Sequence, residues 1–299
     1  MGKVAFVFSG QGDQYPGMGR ELLRFPAAER IFSLCDAIRP GTTDQCLTGS
    51  AEELQKTANT QPCLYAVELA MAAALAESGV NADAAAGFSL GEIAAAAWAG
   101  LYPNETGFRL VMERGRLMEA AAQQHDTAMA AVLKLSREQV EQLCGKHPGL
   151  YPVNFNCPGQ ITVSGLREEM APFLADVKAL GGRGVPLKVS GAFHSPFMEE
   201  AARSFGAVLK DTEFQKPAMP LYSDVTAEIY GDDPKALLSQ QICRPVQWET
   251  LIRNLISDGV DTFVEIGPGR TLTNLIHKID PTVTAVTGTE KLEDAYAHR

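Results

Sequence analysis

Residues 87–91 read Gly-Phe-Ser-Leu-Gly, a G-x-S-x-G pattern whose glycines permit the sharp strand-to-helix turn that lifts a serine hydroxyl clear of the backbone. Ser89 is the candidate nucleophile. The Leu90 amide, first after it at a helix start, points to where an oxyanion would develop. A capping serine in an ordinary glycine turn has the same five letters, so the serine needs a base. Of the five histidines, His125 and His147 lie in polar stretches, His277 on a final amphipathic segment and His298 at the tail. His194 stands apart in GAFHSPF, where Gly191 and Pro196 bracket a non-helical segment following a strand, the kind of loop that places reactive groups on a sheet. A neutral imidazole there takes the serine proton and returns it to a leaving thiol, although a purely structural histidine is the competing reading. Asp224, Asp261 and Glu265 are all available to orient that histidine, and spacing does not rank them. A backbone carbonyl serves equally well, so a serine–histidine dyad is a complete arrangement.

A cation follows. On a helix beginning at Asn104, Phe108, Val111, Gly115, Met118 and Ala122 form one apolar stripe, and Arg109 and Arg116 point away from it. Arg114 borders the stripe, about 70° from its centre at the helical period, and is expected to be partly buried. Its planar fork suits a substrate carboxylate. A snorkelling arginine in a structural ion pair is the alternative.

The elements that must position these groups follow from pattern. KVAFVFSGQG reads as a buried strand breaking into a loop, Ala66 to Glu77 as a helix, and a second strand ends at Ala86, immediately before the serine turn and the alanine-rich run from Ile93 to Ala99. From about 126 to 189 the order changes: strand Met129 to Leu133, a helix from Ser136, a strand around Val153, strand ITVSG, helix Arg167 to Leu180 and strand Val185 to Val189. That βαββαβ order is the ferredoxin-like split unit. Later segments return to the larger layer. The expectation is an α/β chain in which a discontinuous hydrolase-like parallel-sheet domain (1–125 and 190–299) carries the nucleophile elbow and holds an inserted ferredoxin-like α+β domain (126–189).

Composition narrows the function classes. A net charge of −10 gives no concentration of Lys and Arg for phosphate backbones, so nucleic acid is not an expected partner. The six cysteines are scattered, without CxxC pairs or zinc-like histidine spacing, so free thiols, no metal and no bound cofactor are expected. The chain runs from Met1 directly into a strand, and no segment has membrane-spanning length, which together point to the cytoplasm and not to a membrane.

FSGQG (8–12), NTQP (59–62), GFSLGE (87–92), RGRLM (114–118), NFNCPGQITVSG (154–165), GAFHS (191–195), PVQW (245–248) and EIGPG (265–269) stand in this order. Together they resemble the malonyl-CoA:acyl-carrier-protein transacylase family nearly end to end. The resemblance implies ping-pong transfer of malonyl from malonyl-CoA to the phosphopantetheine thiol of acyl carrier protein, for fatty acid synthesis. It implies Ser89 as acyl acceptor, His194 as base, Arg114 as clamp for the malonyl carboxylate, and the amides of Gln11 and Leu90 as oxyanion hole. It further implies Gln241 as the residue whose main-chain carbonyl orients the histidine, and Phe193 as a bulky ring disfavouring branched acyl groups. One position departs from the pattern: the family usually carries histidine where this chain has Phe88. Loading of polyketide carrier proteins, serine hydrolysis and non-catalytic carrier binding are the rival functions. An acidic carrier would require local positive charge on this acidic chain, for which Arg183 and Lys188 are candidates.

Overall fold

The computed structural model describes residues 2–189 and 191–287. Its strands are β1 Lys3–Phe8, β2 Ala84–Gly87, β3 Thr127–Leu133, β4 Leu150–Cys157, β5 Gln160–Leu166, β6 Arg183–Pro186, β7 Leu221–Tyr222, β8 Val260–Ile266 and β9 Thr284–Thr287. The helices are α1 Pro26–Ile38, α2 Thr42–Thr48, α3 Ala51–Gln55, α4 Thr57–Glu77, α5 Leu90–Trp98, α6 Asn104–Ala122, α7 Arg137–Lys146, α8 Arg167–Ala179, α9 Glu199–Lys210, α10 Pro234–Gln240, α11 Trp248–Ser257 and α12 Thr271–Ile279.

Five strands make a parallel sheet in the order β7-β2-β1-β8-β9. Helices cover both faces, so β1 is apolar without alternation, yet its residues still divide by the two-residue pleat. Phe6 and Phe8 enter one core with α4, α5 and α6, and Ala5 and Val7 enter another with Trp248, Leu251 and Leu272 of α11 and α12. The strands share a direction, so the loops leaving the carboxyl ends of β1, β2 and β7 lie together, the usual place for a site in such sheets.

The segment from Thr127 to Pro186 makes a separate antiparallel sheet in the order β4-β5-β3-β6, with α7 and α8 as its helices. It has a core of its own, from Val132 and Val163 on the strands to Val140 on α7 and Phe173 on α8. A capping box between Ser136 and Gln139 starts α7 where the sequence places it.

Two expected elements are corrected. The helix expected over Ala66–Glu77 is α4, which starts at Thr57 and absorbs NTQP into its first two turns. Pro62 conceals this start in sequence, since proline in a helix sacrifices an amide bond. The strand expected over Val185–Val189 is β6, Arg183–Pro186. The Leu187 amide still reaches the Met129 carbonyl at 2.9 Å, but beyond Pro186 the chain leaves the ladder, and Leu187 and Val189 line a cavity beside Ser89. Among the described residues no helix is long and apolar enough to cross a membrane.

Candidate active site

Ser89 links β2 to α5 with φ 55° and ψ −108°, a conformation that a side chain rarely adopts and that the surroundings must enforce. The flanking glycines show why they are required. A Cβ on Gly87 would lie 2.0 Å from the Gly91 carbonyl carbon, and one on Gly91 would lie 2.3 Å from the carbonyl oxygens of both Phe8 and Ser9. The elbow thus closes against the end of β1 through bare backbone. The Ser89 amide donates to Asp224 Oδ2 at 2.8 Å, which holds the turn from the β7 side.

His194, itself at φ 62°, comes from the loop before α9. Its Nε2 is 2.7 Å from Ser89 Oγ and its Nδ1 is 2.8 Å from the main-chain oxygen of Gln241. A carbonyl only accepts, so the proton belongs on Nδ1 and Nε2 is left with a lone pair for the serine hydroxyl. Burial, reinforced by the Arg114 charge, lowers the His194 pKa to about 4 and keeps the ring neutral at neutral pH. The three acids considered for orienting it all lie elsewhere. Asp224 meets the Ser89 amide, Asp261 is exposed, and Glu265 accepts from the Leu272 and Thr273 amides at the start of α12.

Arg114 is fully buried, more than its place at the edge of the stripe implies. Its Nε and Nη2 donate to Gln241 Oε1 at 3.2 and 2.6 Å, and Nη2 also reaches Ser89 Oγ at 3.2 Å. The remaining nitrogen, Nη1, is buried and has no partner among the described residues. Desolvation lowers its pKa to about 10, so the guanidinium stays charged at neutral pH.

Leu90 is the first residue of α5, so its amide belongs to the orphan donors of a helix start, and Gln11 follows β1. Both line a cavity of about 90 Å³ with Ser89, His194, Phe193, Met118 and Met129. A second cavity of about 230 Å³ shares Gln11, Phe88, Asn154 and Leu187 with it and continues past Asn156, Gln160 and Thr162. Phe88 lines both, its ring edge-on to Trp248 at 5.4 Å. A concavity of about 890 Å³ around Phe214 and Lys235 contains none of the residues that converge on Ser89. Arg183 and Lys188 are exposed, on β6 and just after it.

Three side-chain roles were not legible beforehand. The Gln241 side chain ties Arg114 to the Ser89 carbonyl oxygen and to Glu92 Oε2, the last at 2.8 Å. Glu92 and Asp224, both fully buried, lie beneath the elbow. Glu92 is the terminal residue of GFSLGE and so carried a positional signal, whereas Asp224 had none beyond being acidic.

A strained serine at the end of a parallel strand, facing a neutral histidine and a buried cation, is the arrangement of enzymes that form an acyl ester on serine. The model of the acyl transferase domain family matches residues 5–289. A malonyl CoA-acyl carrier protein transacylase from Bacillus subtilis (strain 168) is 38% identical over 290 residues, covering 94% of this chain and 91% of the relative. The solved malonyl CoA-acyl carrier protein transacylase of Clostridium perfringens superposes with a TM-score of 0.94 at 33% identity, covering 99% and 96% of the two chains. A malonyl-transacylase solved in complex with its type II PKS acyl-carrier protein gives a TM-score of 0.92 at 34% identity, covering 95% of each. The chain belongs to the malonyl-CoA:acyl-carrier-protein transacylase family of acyltransferases.

Proposed function

We infer that the protein moves malonyl from malonyl-CoA to the phosphopantetheine thiol of acyl carrier protein through a malonyl-Ser89 ester. Ser89 Oγ attacks the thioester carbon as His194 Nε2 takes its proton. The amides of Leu90 and Gln11 hold the oxyanion, the C–S bond breaks, and His194 returns the proton to the CoA sulfur. The carrier thiol then repeats the sequence in reverse, and no metal or cofactor enters the scheme. The observation that carries the malonyl assignment is the unpartnered Nη1 of a fully buried guanidinium whose Nη2 touches Ser89 Oγ. A buried, desolvated charge with a free donor matches a carboxylate carried on the acyl group. Phe193, buried at the cavity wall, restricts that group to an unbranched one.

Intact-mass measurement after incubation with malonyl-CoA tests the scheme: the protein gains the mass of one malonyl group, and Ser89→Ala gains nothing. An unlabelled wild-type protein, or labelled Ser89→Ala, refutes it. The type II PKS complex among the structural neighbours supports a second reading, in which the recipient is a polyketide carrier. Higher kcat/KM toward polyketide than toward fatty-acid carriers would select it.

The same reading treats residues 126–189 as a domain inserted into a discontinuous larger one, supported by that segment's separate core. The six free thiols support placement in a reducing cytoplasm.

A further inference from the structure

Two fully buried carboxyl groups lie beneath the elbow, and the scheme above uses neither. Glu92 is in the first turn of α5 and Asp224 follows β7. Glu92 Oε1 accepts from the Asp224 amide at 3.2 Å and from the Tyr230 hydroxyl at 2.6 Å, and Oε2 accepts from Gln241 Nε2 at 2.8 Å. Asp224 Oδ2 accepts from the Ser89 amide at 2.8 Å and from Gln241 Nε2 at 3.4 Å. The two carboxyl groups thus share one donor, Gln241 Nε2, in a single buried site, and two like charges that close do not both ionise, so one group keeps a proton. Donor counting says where that proton sits. Both oxygens of Glu92 are supplied by N–H or O–H groups, whereas Asp224 Oδ1 is buried with no such donor among the described residues.

We propose that Asp224 is a neutral acid beside a Glu92 carboxylate, and that the pair is a positioning element. It holds Ser89 in its left-handed conformation while keeping a second negative charge away from the oxyanion. This rests on the reading of Ser89 as the acylated residue. With the proton in place, the buried site holds one cation, Arg114, and one anion, Glu92, which are not paired directly. Without it, a carboxylate lies 2.8 Å from the Ser89 amide, one residue from the Leu90 amide, opposing both the oxyanion and the malonyl carboxylate. Burial pushes Asp224 well above the carboxylate range, in the direction of keeping its proton. The other titratable groups facing the pair are Tyr230 and Tyr102, both held un-ionised by burial, and the Arg114 cation.

Three variants and one spectrum test the pair. Asp224→Ala lowers kcat about 10- to 100-fold at nearly constant KM, the signature of a lost transition-state contribution. Asp224→Asn restores it to within about threefold, because the amide is uncharged and accepts from Ser89 as the neutral acid does, and it abolishes the loss of kcat that ionisation of Asp224 brings at alkaline pH. Glu92→Gln costs about tenfold or more, since position 92 then carries no charge and the negative charge passes to Asp224 under Ser89. Infrared difference spectra of the wild type against Asp224→Asn contain the carbonyl stretch of a protonated carboxylic acid. Absence of that band, an Asp224→Asn loss equal to that of Asp224→Ala, or an alkaline limb that Asp224→Asn leaves in place overturns the proposal. Failure of the wild type to take malonyl on Ser89 overturns the acyl-transfer reading instead, and the infrared band still decides the protonation.

Discussion

Replacing Arg114 by Ala and by Met separates a carboxylate clamp from a structural cation. Its Nε and Nη2 are bound to Gln241 Oε1, and losing those bonds affects every acyl substrate alike. Only Nη1, buried and unpartnered, and the charge itself distinguish a malonyl from an acetyl group. The discriminating quantity is therefore the ratio of kcat/KM for malonyl-CoA to that for acetyl-CoA, in which the common losses cancel. Breaking one side of a desolvated ion pair costs about 3–5 kcal/mol. At about 1.4 kcal/mol per decade this compresses the ratio by roughly 100- to 4,000-fold. Acetyl transfer falls little and can rise, because its ester no longer leaves an unsatisfied buried charge. Met fills most of the vacated volume and should compress the ratio as Ala does, which removes cavity formation as an explanation. A ratio within about threefold of wild type in both variants, with malonyl labelling of Ser89 retained, refutes the clamp.

Other consequences follow from the same geometry. The acid limb of kcat/KM should fall near pH 4, the His194 value, and a limb near 6.5 would mean that the ring is solvated in the free enzyme. Because that value is depressed, the unfolded chain binds the proton first as pH falls. The stability due to neutral His194 is then complete above 6.5 and lost between 6.5 and about 4, readable as a shift in urea midpoint that His194→Gln flattens. Gly91→Ala forces a Cβ to 2.3 Å from two carbonyl oxygens, and should destabilise the fold by about 3 kcal/mol or more, a drop of roughly 6 °C or greater in Tm by calorimetry. An unchanged Tm would mean that the elbow does not close on β1. Arg183→Glu with Lys188→Glu should raise KM for an acidic carrier protein about tenfold at low ionic strength, fading as salt is added, with KM for malonyl-CoA moving less. Equal effects on both substrates would place carrier docking elsewhere.

What the sequence disclosed and what it withheld have different physical origins. The elbow, the parallel layer and the βαββαβ unit are encoded locally: glycines two positions either side of Ser89, apolar strand runs, the Ser136 cap and helix periodicity each act within a few residues. The partnership of Ser89 with His194 joins residues 105 apart, and the motif order implied it before contact was visible. The depth of Arg114 was underestimated because a helical wheel records one helix and its stripe, whereas Gln241, 127 residues away, receives the guanidinium end. Asp224 was considered for the wrong task. Spacing cannot distinguish an acid facing an imidazole from one facing a backbone amide on the other side of the same serine.

Gln241 explains how a base and a cation can meet at one serine hydroxyl. If a carboxylate oriented His194, it would lie beside Arg114 and pair with it, since a buried guanidinium takes the nearest anion. The clamp would then be neutralised before the substrate arrived. An amide residue avoids this. Its main-chain oxygen holds Nδ1 of His194 at 2.8 Å, while its side-chain oxygen steadies Nε and Nη2 of Arg114 without cancelling the charge. Its side-chain nitrogen meanwhile donates to Glu92, where the compensating negative charge is kept under the elbow and away from Nη1. Gln241→Glu should therefore damage malonyl transfer more than acetyl transfer, because the new carboxylate occupies Arg114 in place of the substrate. Equal losses for the two acyl groups would mean that the side chain serves only to pack the site.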